Sequence, residues 1–215
     1  MNLVDFLEKN ARLYPEDIAF VEVRPLTKAR SDIHWARFNE RTNRLANALM
    51  KKGIKKGEKV FLLGRNSIHW LVAYFAVMKT GAWVVPLNFR FTNEDVQNCA
   101  EVAEPSAFIL DDEYVERTVL IRDSLVTVRD YISMGKDLFQ NVDPMEEIIE
   151  SASPKSPQVP LKDEDPCSLF FTSGTTGVPK SVLISHTNLM CTAILEATNH
   201  YIEHGDGFLM MPPMY

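Results

Sequence analysis

Phe171-Thr172-Ser173-Gly174-Thr175-Thr176-Gly177-Val178-Pro179-Lys180 is the stretch from which the rest of the chain is read. Its ten residues hold four hydroxyl side chains, two glycines, a proline and a lysine. The apolar run Cys167-Ser168-Leu169-Phe170-Phe171 leads in and Val182-Leu183-Ile184 leads out. That pattern predicts strand, polar loop, strand. Gly174 and Gly177 permit positive φ and close approach of the backbone to a ligand. Successive N–H groups in such a turn form a nest for an anion. Thr172, Ser173, Thr175 and Thr176 add hydroxyl donors, and Lys180 adds a compact, mobile cation suited to phosphate. Pro179 stiffens the exit. Donors plus one cation, with no carboxylate, point to a polyphosphate. A Ser/Thr/Gly surface turn between two strands accounts for the same residues, so both readings stand on chemistry alone. A Walker A loop is excluded, because Lys180 follows Pro179 and no Gly-Lys-Ser/Thr occurs at the required spacing.

The chain has 215 residues, 46% of them hydrophobic and 24% charged, in the range of an ordinary globular domain. Its net charge of −6 argues against a nucleic-acid partner, which calls for a basic surface. Three widely spaced cysteines make neither a disulfide framework nor a C-x-x-C metal signature. The first residues lack a signal-peptide core, and the longest apolar stretch, near 71–78, is too short to span a bilayer. A reducing cytoplasm is the default location.

In chain order, a short amphipathic helix ends at Pro15. A hairpin follows over 18–23 and 30–35. Residues 36–52 form a helix with Phe38, Leu45, Ala46, Leu49 and Met50 on one face, stopped by Gly53. Strands over 60–63, 83–87 and 106–110 alternate with helices over 68–79, capped by Asn66 or Ser67, and up to about 103, capped by Thr92 or Asn93. The stretch 114–132 is ambiguous, with a strand expected near 125–128. Such alternation implies an α/β fold: a mostly parallel sheet flanked by helices, with a small N-terminal hairpin region. Pro154, Pro157, Pro160 and Pro166 mark an extended linker over 151–166. Ser185 to Thr187 caps a last helix to about 200. The expected division is 1–53 (helix, hairpin, helix), 54–150 (βα units), 151–166 (linker) and 167–215 (loop and following helix).

Thr172 to Lys180 resembles the phosphate-loop signature of the adenylate-forming superfamily of acyl- and aryl-CoA synthetases, luciferases and peptide-synthetase adenylation domains. The usual string is Thr-Ser-Gly-Ser/Thr-Thr-Gly-x-Pro-Lys-Gly-Val, and the chain departs from it only at Ser181, in place of glycine. The flanks are similar too: Asn39 to Leu49, Gly57-Glu58-Lys59-Val60, Met78-Lys79-Thr80-Gly81-Ala82 with threonine for the usual alanine, Val85-Pro86-Leu87-Asn88, Ser185-His186-Thr187-Asn188-Leu189 and Met211-Pro212-Pro213-Met214-Tyr215. The resemblance weakens only between about 112 and 165.

This resemblance implies a parent ligase in which a carboxylate attacks the α-phosphate of ATP, releasing pyrophosphate, and a thiol, often that of CoA, then displaces AMP. Mg²⁺ shares the phosphate charge. Thr172, Ser173, Gly174, Thr175, Thr176, Gly177 and Lys180 would cradle the β- and γ-phosphates. It implies a small-molecule carboxylic acid as substrate, and the Met-rich end has the flavour of fatty-acyl-CoA synthetases. An aryl-CoA ligase, a peptide-synthetase adenylation domain and a catalytically silent phosphate-binding module are the alternatives. The histidine that usually follows Tyr215, the aromatic-Gly-x-Thr-Glu motif, the ribose-binding aspartate, the hinge and the C-terminal lysine do not occur in these residues. The chain therefore reads as the N-terminal part of a longer enzyme, inactive by itself, with no catalytic or metal-ligating residue assigned.

Other candidates have plainer readings. His186 reads as a helix-terminal residue, and His34, His69, His200 and His204 as structural or surface. Lys51, Lys52, Lys55, Lys56 and Lys59 read as a solvated turn, with CoA or RNA contact the weaker alternative. Trp70, Tyr74, Phe75 and Met78 read as core, and Met210, Met211 and Met214 as strand packing or the edge of an acyl pocket.

Overall fold

In the computed structural model, which describes residues 1–24, 26–136, 139–172 and 180–215, each element follows from its local signals. Helix α1 (Leu3–Leu13) starts at a reciprocal capping box between Asn2 and Asp5. Strands β1 (Ile18–Arg24) and β2 (Ala29–His34) form an antiparallel hairpin. Helix α2 (Trp35–Lys51) buries Phe38, Leu45, Ala46 and Leu49 completely. Met50, expected on that face, is 40% exposed. It lies about 100° around the helix from Leu49, past the edge of the apolar stripe. Gly53 ends the helix at φ 92, a conformation open to glycine.

The next elements are β3 (Lys59–Leu63), α3 (Ile68–Lys79), β4 (Trp83–Leu87), α4 (Asn93–Ala103), β5 (Ala107–Leu110), α5 (Asp112–Val119), β6 (Asp130–Ser133), β7 (Asp143–Pro144) and α6 (Met145–Ser151). After them come β8 (Pro166–Thr172), β9 (Lys180–Ser185) and α7 (His186–Asn199). The cap of α3 is Ser67 and that of α4 is Thr92, whose capping box with Asp95 is complete. One sheet runs in the order β7-β6-β5-β3-β4-β8-β9, parallel throughout except for the antiparallel pair β8–β9. Strand alternation splits the core into two layers. Val60, Leu62, Val84, Ala107 and Ile109 pack in the layer that contains α2 and α3. Phe61, Leu63, Val85, Leu87, Phe108 and Leu110 pack in the layer with α4 and α5.

The ambiguous region resolves as a helix, a 3₁₀ turn at Arg122–Ser124 and a strand over Asp130–Ser133, not as a strand near 125–128. Tyr114, Val115 and Thr118 have helical spacing and are buried. Leu125 is buried from a loop, while Val126 is 87% exposed. The strand is fixed by its ladder to β5, starting with Ala107 opposite Asp130. Ser151 closes α6 and Pro166 opens β8, and the residues between them, 152–161 before the turn at 162–165, form a hydrogen-bonded strap. Asn43 donates to the Pro154 carbonyl, Arg44 to Ala152, Asn47 to Ser153 and Lys155, and Lys56 to Pro160.

Candidate functional site

Strands β8 and β9 bring the two ends of the sequence-defined loop face to face. Thr172 is opposite Lys180 in the ladder, and its hydroxyl donates to the Lys180 carbonyl at 3.3 Å. Ser173, Gly174, Thr175, Thr176 and Gly177 lie outside the described residues. Lys180 is exposed and, among the described residues, its ammonium has no carboxylate partner, so its charge is available to an anion. Ser181, in place of the usual glycine, sits in the β9 ladder opposite Phe171 and has no positive φ. Extended backbone suits serine as well as glycine, so the substitution carries no strain at that point.

The base of this hairpin is well anchored. Ser168, fully buried, pairs with Val84 of β4, and its hydroxyl is 2.7 Å from that of Tyr74. Burial raises the Tyr74 phenol above its ordinary range and pushes the Cys167 thiol up to about 12. At the start of β8 the turn 162–165 collects contacts. Asp165 accepts from Lys56 and from the Lys162 amide, Asp163 pairs with the N-terminal ammonium, and the Asp163 carbonyl accepts twice from Thr187. A Ser185–Asn188 capping box starts α7. His186 is 1% exposed and its Nδ1 has no partner among the described residues. Burial lowers its pKa, against the pull of Asp165 and Asp163. Its place as the first residue of α7 agrees with a structural role.

Because β3, β4 and β8 are parallel, the turns that follow them share one end of the sheet, the carboxyl end where open α/β sheets bind ligands. That end gathers Arg65, Asn66, Phe89, Arg90 and the last residues of the chain. The Asn66 amide donates to the Pro212 carbonyl at 2.7 Å and accepts from the Met214 amide at 3.0 Å. Tyr215 meets the Phe89 ring at 5.5 Å, with Arg65 and Arg90 within 6 Å of the same ring. Met214 is partly buried there, whereas Met210 and Met211 are exposed. Asp111, pushed up to about 6 by burial, accepts from the Arg65 amide at 2.8 Å. A Cβ at Gly64 would lie 2.6 Å from that carboxylate and 2.7 Å from the Met134 methyl, so a larger residue after β3 would push these side chains aside. Sequence reading treated Asn66 as a helix cap and missed this clamp.

Two further departures follow from long-range contacts. Lys79 is buried, donating to Glu8, Asn39 and Asn43 at 3.2, 2.7 and 2.6 Å; a lysine inside an otherwise apolar helix was the available signal. The basic cluster is not simply a solvated turn, because Lys52 bridges Asp130 and Asp143, and Lys56 pairs with Asp165. The histidines agree with their reading as structural or surface residues: His69 lies 3.2 Å from Glu146, which Arg41 also clasps, and the exposed His200 and His204 face Glu196 and Asp17. Among the described residues no three His, Cys, Asp or Glu side chains converge as a metal site. No described helix is long and apolar enough to cross a membrane.

Comparison with known proteins places this geometry. The AMP-binding enzyme family matches residues 7–215. A long-chain-fatty-acid–CoA ligase of Thermus thermophilus is 30% identical, over 100% of this chain and 39% of its own length. The long-chain-fatty-acid–CoA ligase FadD13 of Mycobacterium tuberculosis is 29% identical, over 100% and 41%. The solved anthranilate CoA ligase AuaEII, in complex with anthranoyl-AMP, superposes with a TM-score of 0.84 at 25% identity, over 93% of this chain and 37% of its own. The chain thus spans about two fifths of the length of these relatives.

Proposed function

The chain belongs to the AMP-binding enzyme family, and we propose on that premise that it is the N-terminal part of an ATP-dependent carboxylate–CoA ligase acting on a fatty acid. The observation that carries the reading is the mouth of the β8–β9 hairpin, where Thr172 and Lys180, which has no carboxylate partner among the described residues, flank the Ser173-Gly174-Thr175-Thr176-Gly177 string. ATP arrives as its Mg²⁺ complex and is a substrate. Thr172, Ser173, Thr175 and Thr176 supply hydroxyl donors for the β- and γ-phosphates, Gly174 and Gly177 admit the backbone, and Lys180 neutralises charge. The work of these groups is positioning and electrostatic stabilisation while the carboxylate attacks the α-phosphate and pyrophosphate leaves. CoA is the thiol acceptor in the second step. The names of the two bacterial relatives support a fatty-acid substrate; the anthranilate ligase favours an aryl acid as second reading. A cytoplasmic location goes with this reading, supported by the free thiols of Cys99, Cys167 and Cys191.

Pyrophosphate exchange in the full-length protein tests the phosphate role. Thr176→Ala and Lys180→Ala are expected to slow exchange about a hundredfold, the usual effect of losing one donor to developing charge, with an unchanged melting temperature. Exchange at the unmodified rate in both variants would overturn the assignment. Calorimetry with ATP·Mg²⁺ and a hydroxamate assay on the full-length protein separate ligase from silent module: binding without hydroxamate there supports the module. Comparing fatty with aromatic acids in exchange separates the two substrate readings.

A further inference from the structure

The turn after β3 is fixed on both sides of Asn66. The Arg65 amide donates to Asp111 at 2.8 Å, and the Ser67 hydroxyl accepts from the Trp70 amide as the cap of α3. The Asn66 side chain is therefore free of the cap, and it reaches a segment 146 positions away. Its amide uses one donor and one acceptor there: Nδ2 donates to the Pro212 carbonyl at 2.7 Å, and Oδ1 accepts from the Met214 amide at 3.0 Å. The segment it grips has little else to hold it, since residues 201–213 are exposed and contain no helix or strand. Immediately beyond the grip the chain becomes partly buried. Met214 packs against the layer that contains α2 and α3, and Tyr215 meets the ring of Phe89, which packs with the other layer. These two residues thus lie across the carboxyl end of the sheet, the end at which open α/β sheets bind ligands. Val84 is opposite Ser168 in the neighbouring β8. Four residues further along each strand, Asn88 is level with Thr172 at the hairpin mouth, and Phe89 follows. Neighbouring strands are about 5 Å apart, so the Tyr215–Phe89 pair is next to the candidate phosphate site.

We infer that Asn66 is a positioning residue for the carboxylic acid, holding Met214 and the Tyr215–Phe89 ring pair as an apolar wall on which the hydrocarbon part of the acid rests. This inference depends on the ligase reading above. A carboxylate that attacks the α-phosphate must approach from the side away from the β- and γ-phosphates, with its hydrocarbon part against an uncharged surface. A thioether and two rings supply such a surface. Asn66 itself does not touch the acid. It acts by removing freedom from an exposed segment, and a displacement of about 1 Å at reacting atoms costs about a hundredfold in rate. The two hydrogen bonds together favour the clamped position by about tenfold.

Pyrophosphate exchange in the full-length protein, with a fatty acid and ATP varied separately, tests this. Asn66→Ala is expected to raise the KM for the acid about tenfold, with the KM for ATP and the Tm unchanged. Asn66→Asp keeps the acceptor for the Met214 amide and loses the donor to Pro212, so its rise in the KM for the acid is expected to be smaller. Hydrogen exchange in the 215-residue chain reads the clamp without any activity: the Met214 amide is expected to be protected, and to lose that protection in Asn66→Ala. An unchanged KM for the acid in Asn66→Ala would overturn the inference, as would an unprotected Met214 amide in the unmodified chain. A rise in both KM values with a lowered Tm would make Asn66 a residue of the fold alone and would also defeat it. Slowed exchange in Lys180→Ala beside unaltered kinetics in Asn66→Ala defeats this inference and leaves the ligase reading standing. No exchange with any acid in the unmodified protein defeats the reading first, and the role of Asn66 with it.

Discussion

The centre of the sheet and its β8–β9 edge are built from equally apolar strands, yet the structure treats them differently. Phe61, Leu62, Leu63, Phe108 and Ile109 are fully buried between helices on both faces. In β9, Val182 and Leu183 are 43% and 45% exposed, and on α7 Ile194 and Leu195 are 58% and 61% exposed. The candidate phosphate loop is carried by the edge. The strands on either side of it are anchored through the Ser168–Tyr74 contact, the Asp163 and Asp165 turn and the Ser185 cap. Stability and the candidate site are thereby separated: the centre holds the fold together, and the edge presents donors and a cation with little burial at stake.

The largest expected effect is at the centre. Phe108 packs its ring 5.4 Å from Phe61 and 6.2 Å from Tyr131; Phe108→Ala is expected to cost about 3–5 kcal/mol in urea unfolding. A loss below about 1 kcal/mol would break the contrast. Next comes Lys79→Met, which leaves the acceptors of Asn39 and Asn43 without their donor; the expected cost is about 2–3 kcal/mol by the same measurement. Smaller again is an effect of pH. Glu146 ordinarily titrates at 4.5 and is held at about 2 by the His69 hydrogen bond and Arg41, against burial. A depressed folded pKa means that the unfolded chain binds more protons in this interval. The contribution is therefore present above about pH 4.5 and lost as pH falls toward 2. Glu146→Gln is expected to flatten that part of the acid limb of the Tm–pH curve. The smallest effect is at the edge, where Leu183→Ser is expected to shift stability by no more than about 0.5 kcal/mol.

Where a signal was local, the sequence was legible. The caps read as Thr92 or Asn93 and as Asn66 or Ser67 fall on Thr92 and Ser67, and the stop at Gly53 is reproduced. The strands at Lys59–Leu63, Trp83–Leu87 and Ala107–Leu110 were found within a residue because doubly covered strands are continuous apolar runs. Legibility failed between 112 and 151. Helix α6 and strand β7 went unread, and β6 was misplaced, because β6 is short and defined by its ladder to β5. For the candidate site, the sequence read Thr172 and Lys180 as part of a polar loop between two strands, and the structure carries both into the antiparallel ladder, opposite each other.

By itself, then, the sequence determined the α/β class, the parallel alternation and the identity of the Thr172–Lys180 string, since periodicity, caps and a short motif are all contained within a few consecutive residues. Only the tertiary structure decided that Lys79 is buried against Glu8, 71 positions away, and that Asn66 clamps Pro212, 146 positions away. It also decided that the proline-rich segment is a strap on α2 and that the loop is mounted at an edge. These are contacts between residues remote in the chain. They form when burial places a donor beside an acceptor that local spacing does not reveal.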